Sequence, residues 1–346
     1  MSLATAIKTG DLTQLPSRRD EDWRWTDLRG LIRQIPALAE PGDVAPGGPF
    51  AAAGGKECVV NNGHIAGWSA IVAEGQGEVA RLRVVATEAA SNPAVVYVSV
   101  RAGASLTLLE SYEALADGAL TDVELDVEVE TGGRLERIVL ADDGADSVTV
   151  SIARVKLAAG AVFEQTVLTS GARRQRLETH VAHPGAGASV RMDGAYLLAD
   201  KRHADITTVV VHQGVDGTTS ELVKGVVDDQ ARGVFQGRIV VAPGADRTDA
   251  RMGHHALILS DRAEVDAKPE LLINADDVAC AHGNTVGALD EDAIFYAEQR
   301  GIPKDEARAM LTLAFVGEVI DRIGHEGARE VARAWANARL GGSDGL

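Results

Sequence analysis

The rhythm of hydrophobic and polar positions along this chain changes twice. Residues 1 to about 35 carry apolar residues at helical spacing: first Ala4, Ile7 and Leu12, then Trp23, Leu28, Leu31 and Ile32. This predicts a helical start, with the Asp20-Glu21-Asp22-Trp23-Arg24-Trp25 cluster packing a small terminal subdomain through its tryptophan pair. Residues 36 to 56, with Pro36, Pro41, Pro46 and Pro49 among glycines, read as an irregular loop. Short apolar runs at Cys58 to Val60 and Ile65 to Ile71 flank Asn-Asn-Gly and predict a hairpin.

From Arg81 to Ile273 the period shortens to two. Strands are predicted at Val95 to Val100, Ser105 to Glu110, Val123 to Glu130, Leu135 to Leu140, Val148 to Leu157, Val162 to Leu168, Ile206 to His212 and Gly233 to Val241. The run Val123-Glu124-Leu125-Asp126-Val127-Glu128-Val129 alternates most clearly, so one face is buried and the other wet. No helix-length periodic segment intervenes, which excludes a doubly wound fold. Small-residue turns recur at Gly103, Gly132, Gly160, Gly187, Gly217 and Gly244, at intervals of 29, 28, 27, 30 and 27 residues. A β-sandwich has no reason to hold such an interval. Stacked coils of a β-solenoid do, with glycine supplying the positive φ of each corner.

After residue 285 the period returns to the helical one. Asp290 is placed to cap a helix from Glu291 to Arg300, Gly301 suits its C′ position, and Pro303 suits the first turn of the next. Ala307, Met310, Leu311, Ala314, Phe315 and Val319 form an apolar stripe. Leu313, Val316 and Ile320 widen it beyond what one neighbour needs, and a third helix follows from Ala328 to Leu340. The expected organisation is a mixed N-terminal region over 1–80, a solenoid over 81–285 and a helical domain over 286–346.

Composition narrows the partners. The chain has 346 residues, 45% hydrophobic and 25% charged, as in soluble globular proteins. A formal net charge of −17 argues against nucleic acid and against an anionic membrane surface. Aromatic residues make up only 4%, too few for a stacked sugar-binding groove. Two cysteines cannot build a disulfide framework. No apolar run reaches the roughly 20 residues a membrane span needs. With no basic start followed by an apolar run, the N-terminus reads as lacking a signal peptide, so a cytoplasmic location is expected.

Walker-type phosphate loops, G-x-G-x-x-G turns and serine nucleophile elbows are absent. Histidine pairs occur, but His254 and His255 face opposite sides of a strand, which makes them poor co-ligands. Cys280 and His282 differ in kind, because residues two apart on a strand share a face and a thiolate with an imidazole suits iron or zinc. Two ligands do not close a tetrahedral site, so the rest must come from elsewhere in the chain or from another chain. Two other readings stand beside this one. In one, a β-helix enzyme acts on polysaccharide and recruits Asp205, Lys224 and Arg238. In the other, the solenoid is purely structural and Cys280 is buried and inert.

The stretches Lys268-Pro-Glu-Leu-Leu-Ile, Asp276-Asp-Val-Ala-Cys-Ala-His-Gly-Asn-Thr-Val-Gly, Ile294-Phe-Tyr and Gln299-Arg-Gly-Ile, with Glu21-Asp-Trp-Arg-Trp-Thr-Asp-Leu near the start, resemble the SufB/SufD family of iron–sulfur cluster assembly proteins. The resemblance covers about residues 17 to 28 and 85 to 325. It implies a right-handed parallel β-helix with helical ends and a non-catalytic role beside SufB and the ATPase SufC. Cys280 and His282 would then lie at an interface with SufB, as metal ligands for iron or a nascent cluster. The C-terminal helices would dock SufC through Phe295, Tyr296, Met310, Leu311, Phe315 and Val319. No cofactor is implied to stay on this chain alone. ATP belongs to SufC only, reduced flavin enters as a participant in the complex, and a homodimer of the isolated chain stays open. SufB-like chains carry a cysteine after the Phe-Tyr pair where this chain has Ala297, which points toward the SufD type. The chain is short for the family, and the missing length is expected in the N-terminal region.

Overall fold

The structure, a computed structural model, describes residues 1–66 and 70–340. Two stacked sheets dominate it. Strands β1 (Lys56–Asn61), β2 (His64–Ala66), β4 (Glu78–Ala86), β6 (Ser105–Ala114) and β8 (Arg134–Ala141) belong to the larger sheet. It continues through β10 (Val162–Thr169), β12 (Ser189–Leu198), β14 (Thr218–Val227), β16 (Thr248–Ile258) and β18 (Val278–Gly287). The smaller sheet takes β3 (Ala70–Ala73), β5 (Ser91–Val100), β7 (Leu120–Val129), β9 (Val148–Leu157) and β11 (Arg174–His183). It ends with β13 (His203–His212), β15 (Arg232–Val241) and β17 (Glu264–Ile273).

From β3 onward strands thus alternate between the sheets along the chain, and each pairs in parallel with the strand two ahead of it. That topology is a parallel β-solenoid, as the glycine interval predicts. The ladder begins at β1, which pairs in parallel with β4, so the expected boundary at residue 81 falls inside a strand. The predicted hairpin is β1–β2, closed by Asn62 and Gly63, both at positive φ, the two-residue turn that suits strand twist. Residues 67–69 of the predicted Ile65 to Ile71 run lie outside the described residues.

Corner chemistry follows the prediction at Gly103, Gly132, Gly160, Gly187 and Gly244, all at positive φ. Gly217 is the exception: Asp216 takes the left-handed conformation at that corner, with φ 59°. Gly217 is small for another reason, since a Cβ there would sit 2.5 Å from Nδ1 of His212. Strands β11 and β14 are absent from the predicted set because polar residues occupy their buried positions. Gln175, Arg176 and Thr179 on β11 and Thr219 and Glu221 on β14 are all buried, which blurs the alternation.

The solenoid interior is a continuous apolar core of stacked valine, leucine and alanine. Near its middle is a satisfied polar island. Arg137 makes a bidentate pair with Glu110 at 2.7 and 2.8 Å and donates to Gln165, while Tyr112 donates to Glu110 at 2.6 Å. Both charges are fully buried, so each needs its partner to offset desolvation.

The outer faces are covered unequally. Helices α2 (Glu291–Glu298), α3 (Lys304–Ile320) and α4 (Glu326–Leu340) follow the last strand and are preceded only by α1 (Leu3–Thr9). Val316, Val319 and Ile320 of α3, with Ala332, Trp335 and Ala336 of α4, pack on Ile138, Leu140, Leu168 and Leu197 of the larger sheet. This explains the wide apolar face of α3, which lies between the sheet and α4. Asp290 caps α2 as predicted, accepting from the N–H groups of Asp292 and Ala293. Pro303 sits one residue earlier than predicted, at the N-cap of α3.

The N-terminal region corrects the helical prediction. Only seven residues form α1, which ends at Gly10 in the left-handed conformation, and the rest is 3-10 turns and extended strap. Its apolar residues do bury, but against Leu120, Val148 and Val150 of the smaller sheet, so no separate subdomain forms. Polar bonds to the sheet hold the strap. Thr26 donates to Asp205 at 2.5 Å, Arg176 donates to the carbonyl of Asp22 at 2.8 Å, and the Arg176 guanidinium lies 4.5 Å from the Trp23 ring centroid. These anchors are too far away in sequence to read from local periodicity.

Candidate functional site

Cys280 and His282 lie on β18, the last strand of the larger sheet. The parallel register states what each one continues. Leu106, Leu135, Phe163, Val190, Thr219 and Ala250 stack one coil upon the next, and Cys280 ends that row. Leu108, Arg137, Gln165, Met192, Glu221 and Met252 stack likewise, and His282 ends theirs. Both rows face the solenoid interior, where Met192, Val190, Ala250 and Met252 are buried. The thiol and imidazole are therefore the last inward-facing groups of these two rows, neighbours on one face where the stack stops.

No strand covers β18 or β17 on the far side among the described residues. Leu272 and Ile273 of β17 and Val286 of β18 are 43–49% exposed, and every residue of β18 from Ala281 onward is exposed. Two adjacent strand edges thus offer unpaired backbone groups around an open cross-section of the core, the arrangement that recruits another strand. The opposite end differs, because the antiparallel β2 closes the larger sheet there.

Burial pushes the Cys280 thiol above its ordinary pKa, more than the Ala250 backbone N–H lowers it, so the group is a thiol near neutral pH. It is half-buried against the interior, while His282 is exposed. Among the described residues no cluster of three or more His, Cys, Asp or Glu is arranged to hold a metal ion. The donor set of this chain at the open end is the pair alone.

The predicted docking residues divide. Phe295 and Tyr296 on α2 are each 60% exposed and Met310 on α3 48%, with the Arg300 guanidinium 3.5 Å from the Tyr296 ring centroid. Leu311 is half-buried, as is Phe315, whose ring lies 4.3 Å from the Lys224 ammonium. Val319 is fully buried in the core between α3 and the sheet, which removes it from any docking surface. The residues of the polysaccharide reading are not gathered in one groove. Asp205 is fully buried under the strap on the smaller sheet, where Arg238 pairs with Glu270 and Asp22. Lys224 pairs with Glu318 at 2.5 Å over the other sheet.

Sequence reasoning missed His254 as a neighbour of the site. Its ring is fully buried one coil below β18, stacked on Phe235 at 5.0 Å and bonded to Asn284 at 2.6 Å. The signal was the spacing of Asn284 from His282, which puts both on the inward face.

The last coil of a parallel β-solenoid thus presents a thiol and an imidazole at an end that no further strand closes among the described residues. Comparison with known proteins gives the class. Residues 83–315 match the model of the SUF system FeS cluster assembly, SufBD core domain, and the chain belongs to this family. It is similar to the iron-sulfur cluster assembly protein SufD of Escherichia coli, with 32% identity over 71% of this chain and 58% of that protein. A SufBD family protein of Synechocystis is 27% identical over 65% of this chain and 52% of its own length. The SufD of Bacillus subtilis is 31% identical over 46% of this chain and 39% of its own. The chain therefore spans between about two-fifths and three-fifths of the length of these relatives, and its likeness is to the SufD type. No helix among the described residues is long and apolar enough to cross a membrane.

Proposed function

We propose that this chain is a non-catalytic assembly subunit that lends Cys280 and His282 to an interfacial iron or nascent-cluster site. The observation that carries this reading is the open end of the solenoid. A soft thiol and an imidazole end two inward rows there, and two unpaired strand edges frame them. The partner is a SufB-type chain, which pairs along β17 and β18 and supplies the missing ligands. The cluster is cargo here, built across the interface and passed on. Chemistry within this chain is limited: the Cys280 proton must leave before sulfur can act as a ligand, because thiolate is the binding form. His282, on the same face about 7 Å along the strand, is the nearest side-chain base on β18.

A SufC-type ATPase docks on the exposed Phe295, Tyr296 and Met310 surface. The buried face of α3 packs on the larger sheet, the sheet whose last strand carries Cys280 and His282, so a load applied to these helices bears on that sheet.

The test is co-expression of the chain with SufB- and SufC-type partners. The Cys280→Ala, His282→Ala double variant is expected to co-purify at wild-type stoichiometry while iron and cluster content fall. Wild-type rates of cluster assembly in that variant would remove the site assignment.

A further inference from the structure

The strand that carries the site is an edge of the solenoid. Among the described residues it has one hydrogen-bonded neighbour, and of its apolar side chains only Val278 and Cys280 pack against the core. Its composition, with Gly283 and Gly287 in the second half, gives little intrinsic preference for the extended state. Register matters here more than anywhere else in the fold. A slip of one residue would turn Cys280 and His282 from the inward face to the outward face.

Besides the Ala250 N–H that meets the Cys280 sulfur, two side-chain to side-chain bonds hold β18 from the coil below, and consecutive histidines make both. On the inside, His254 Nδ1 lies 2.6 Å from Asn284 Oδ1. On the outside, His255 Nδ1 lies 2.7 Å from Thr285 Oγ1. The inner bond has a defined direction. The Tyr196 hydroxyl lies 2.9 Å from His254 Nε2 and has no other partner among the described residues. Buried as it is, it must donate to that nitrogen, which leaves the proton on Nδ1 to be donated to the Asn284 carbonyl. Phe235 stacks on the same ring with an interplanar angle of 14°, so the donor is fixed in place.

We propose that His254 and His255 are positioning residues that clamp β18 from both faces and set the register that aims Cys280 and His282 inward. The clamp reads the strand by type as well as position. Shifted by one residue, His254 would face Gly283 or Thr285 and His255 would face Asn284 or Val286, so at least one bond is lost in either direction. The two bonds also lie on the C-terminal side of the site, where the strand hands over to α2. That is where an edge strand would otherwise peel.

This inference rests on the proposed function only for the importance of the two site residues. Its test reads the strand itself in the isolated full-length chain, so either idea can fail alone. The Asn284→Ala, Thr285→Ala double variant is compared with wild type and with Thr285→Ser, which keeps the hydroxyl. The readouts are amide exchange along β18, iodoacetamide alkylation of Cys280 followed by peptide mass spectrometry, and the urea midpoint. Loss of both bonds is expected to raise β18 exchange and Cys280 alkylation about ten-fold, while the urea midpoint and exchange in β10 to β14 stay at wild type. Thr285→Ser is expected to retain wild-type rates. Wild-type alkylation and exchange in the double variant would overturn the clamp. So would a rise shared equally by β10 to β14, which would mark general loosening.

Discussion

At the scale of single residues, the interior of this solenoid is more polar than its repeat suggests, and Glu221 shows the consequence. It stands in the row that ends at His282, buried between Met192 and Met252, with one oxygen accepting from Thr208 at 2.8 Å. Burial pushes its carboxyl up to about 8, against the Thr208 bond, so the folded protein holds a proton that the unfolded chain releases. The stability this proton carries is fully present below about pH 4.5 and is lost as pH rises to about 8. Glu221→Gln keeps the shape and removes the titration. Relative to wild type the variant is expected to gain on the order of 2–4 kcal/mol between pH 5 and pH 8. Urea unfolding at the two pH values measures it, and an unchanged difference would refute the assignment. Gly217 carries a second lesson at this scale: its place in the glycine interval identifies the corner, but the neighbouring His212 ring is what forbids a side chain.

At the scale of elements, the last two strands are decisive. Edge strands are ordinarily protected by charge, brevity or a covering segment. Here β17 and β18 are ten residues each and carry Leu272, Ile273 and Val286 half exposed. Val286 ends the inward row that passes through Tyr196, Gly225 and Ala256. An inward-pointing charge at that position leaves the solenoid intact and denies a second strand a place to stack. Val286→Lys is therefore expected to keep the wild-type urea midpoint and to abolish association through this end, with a SufB-type chain or with a second copy. Size-exclusion chromatography with light scattering reads the outcome, and undiminished association would exclude this edge as the interface. The helix α3 makes the opposite point. Its wide apolar stripe predicts a partner, and most of that width is taken by the chain's own sheet and α4, leaving Met310 of the stripe outside, with Phe295 and Tyr296 exposed on the preceding α2.

At the scale of the whole molecule, buried titratable groups of opposite sense offset each other. Burial lowers His183 to about 3 and His203, His212 and His254 to about 4, so these rings stay neutral where the unfolded chain would take up protons. Their contribution is present above about pH 6.5 and is lost as pH falls toward 4. Burial raises Asp122 and Asp193 to about 7, Asp143 to about 6 and Glu221 to about 8, and their contribution is lost as pH rises over that range. Between about pH 4.5 and 6.5 the two slopes oppose, and above 6.5 only the acids still differ between the states. Unfolding free energy is thus expected to be nearly level from pH 5 to 6 and to decline from pH 6.5 to 8. Urea titrations across this range would show it, and a steep loss between pH 6.5 and 5 would contradict it.

The sequence by itself determined the solenoid, because a period of two repeated at 27 to 30 residues with small corner residues has few other solutions. It also determined that Cys280 and His282 share a face, since that follows from strand geometry alone. It set the start of α2 through Asp290, because caps are local chemistry, while the helix stops at Glu298, two residues short of the end that Gly301 predicts. Only the tertiary structure decided which face that was, which end of the stack was open, and what lay beneath it. The N-terminal strap, the burial of Val319 and the grip of His254 on Asn284 depend on contacts 30 to more than 150 residues apart in the chain. Such contacts leave no local periodicity, because each is satisfied by a partner that only the coiling brings near. The open end at β18 is of this kind: a strand becomes an edge through the absence of a neighbour, and no residue within it records that.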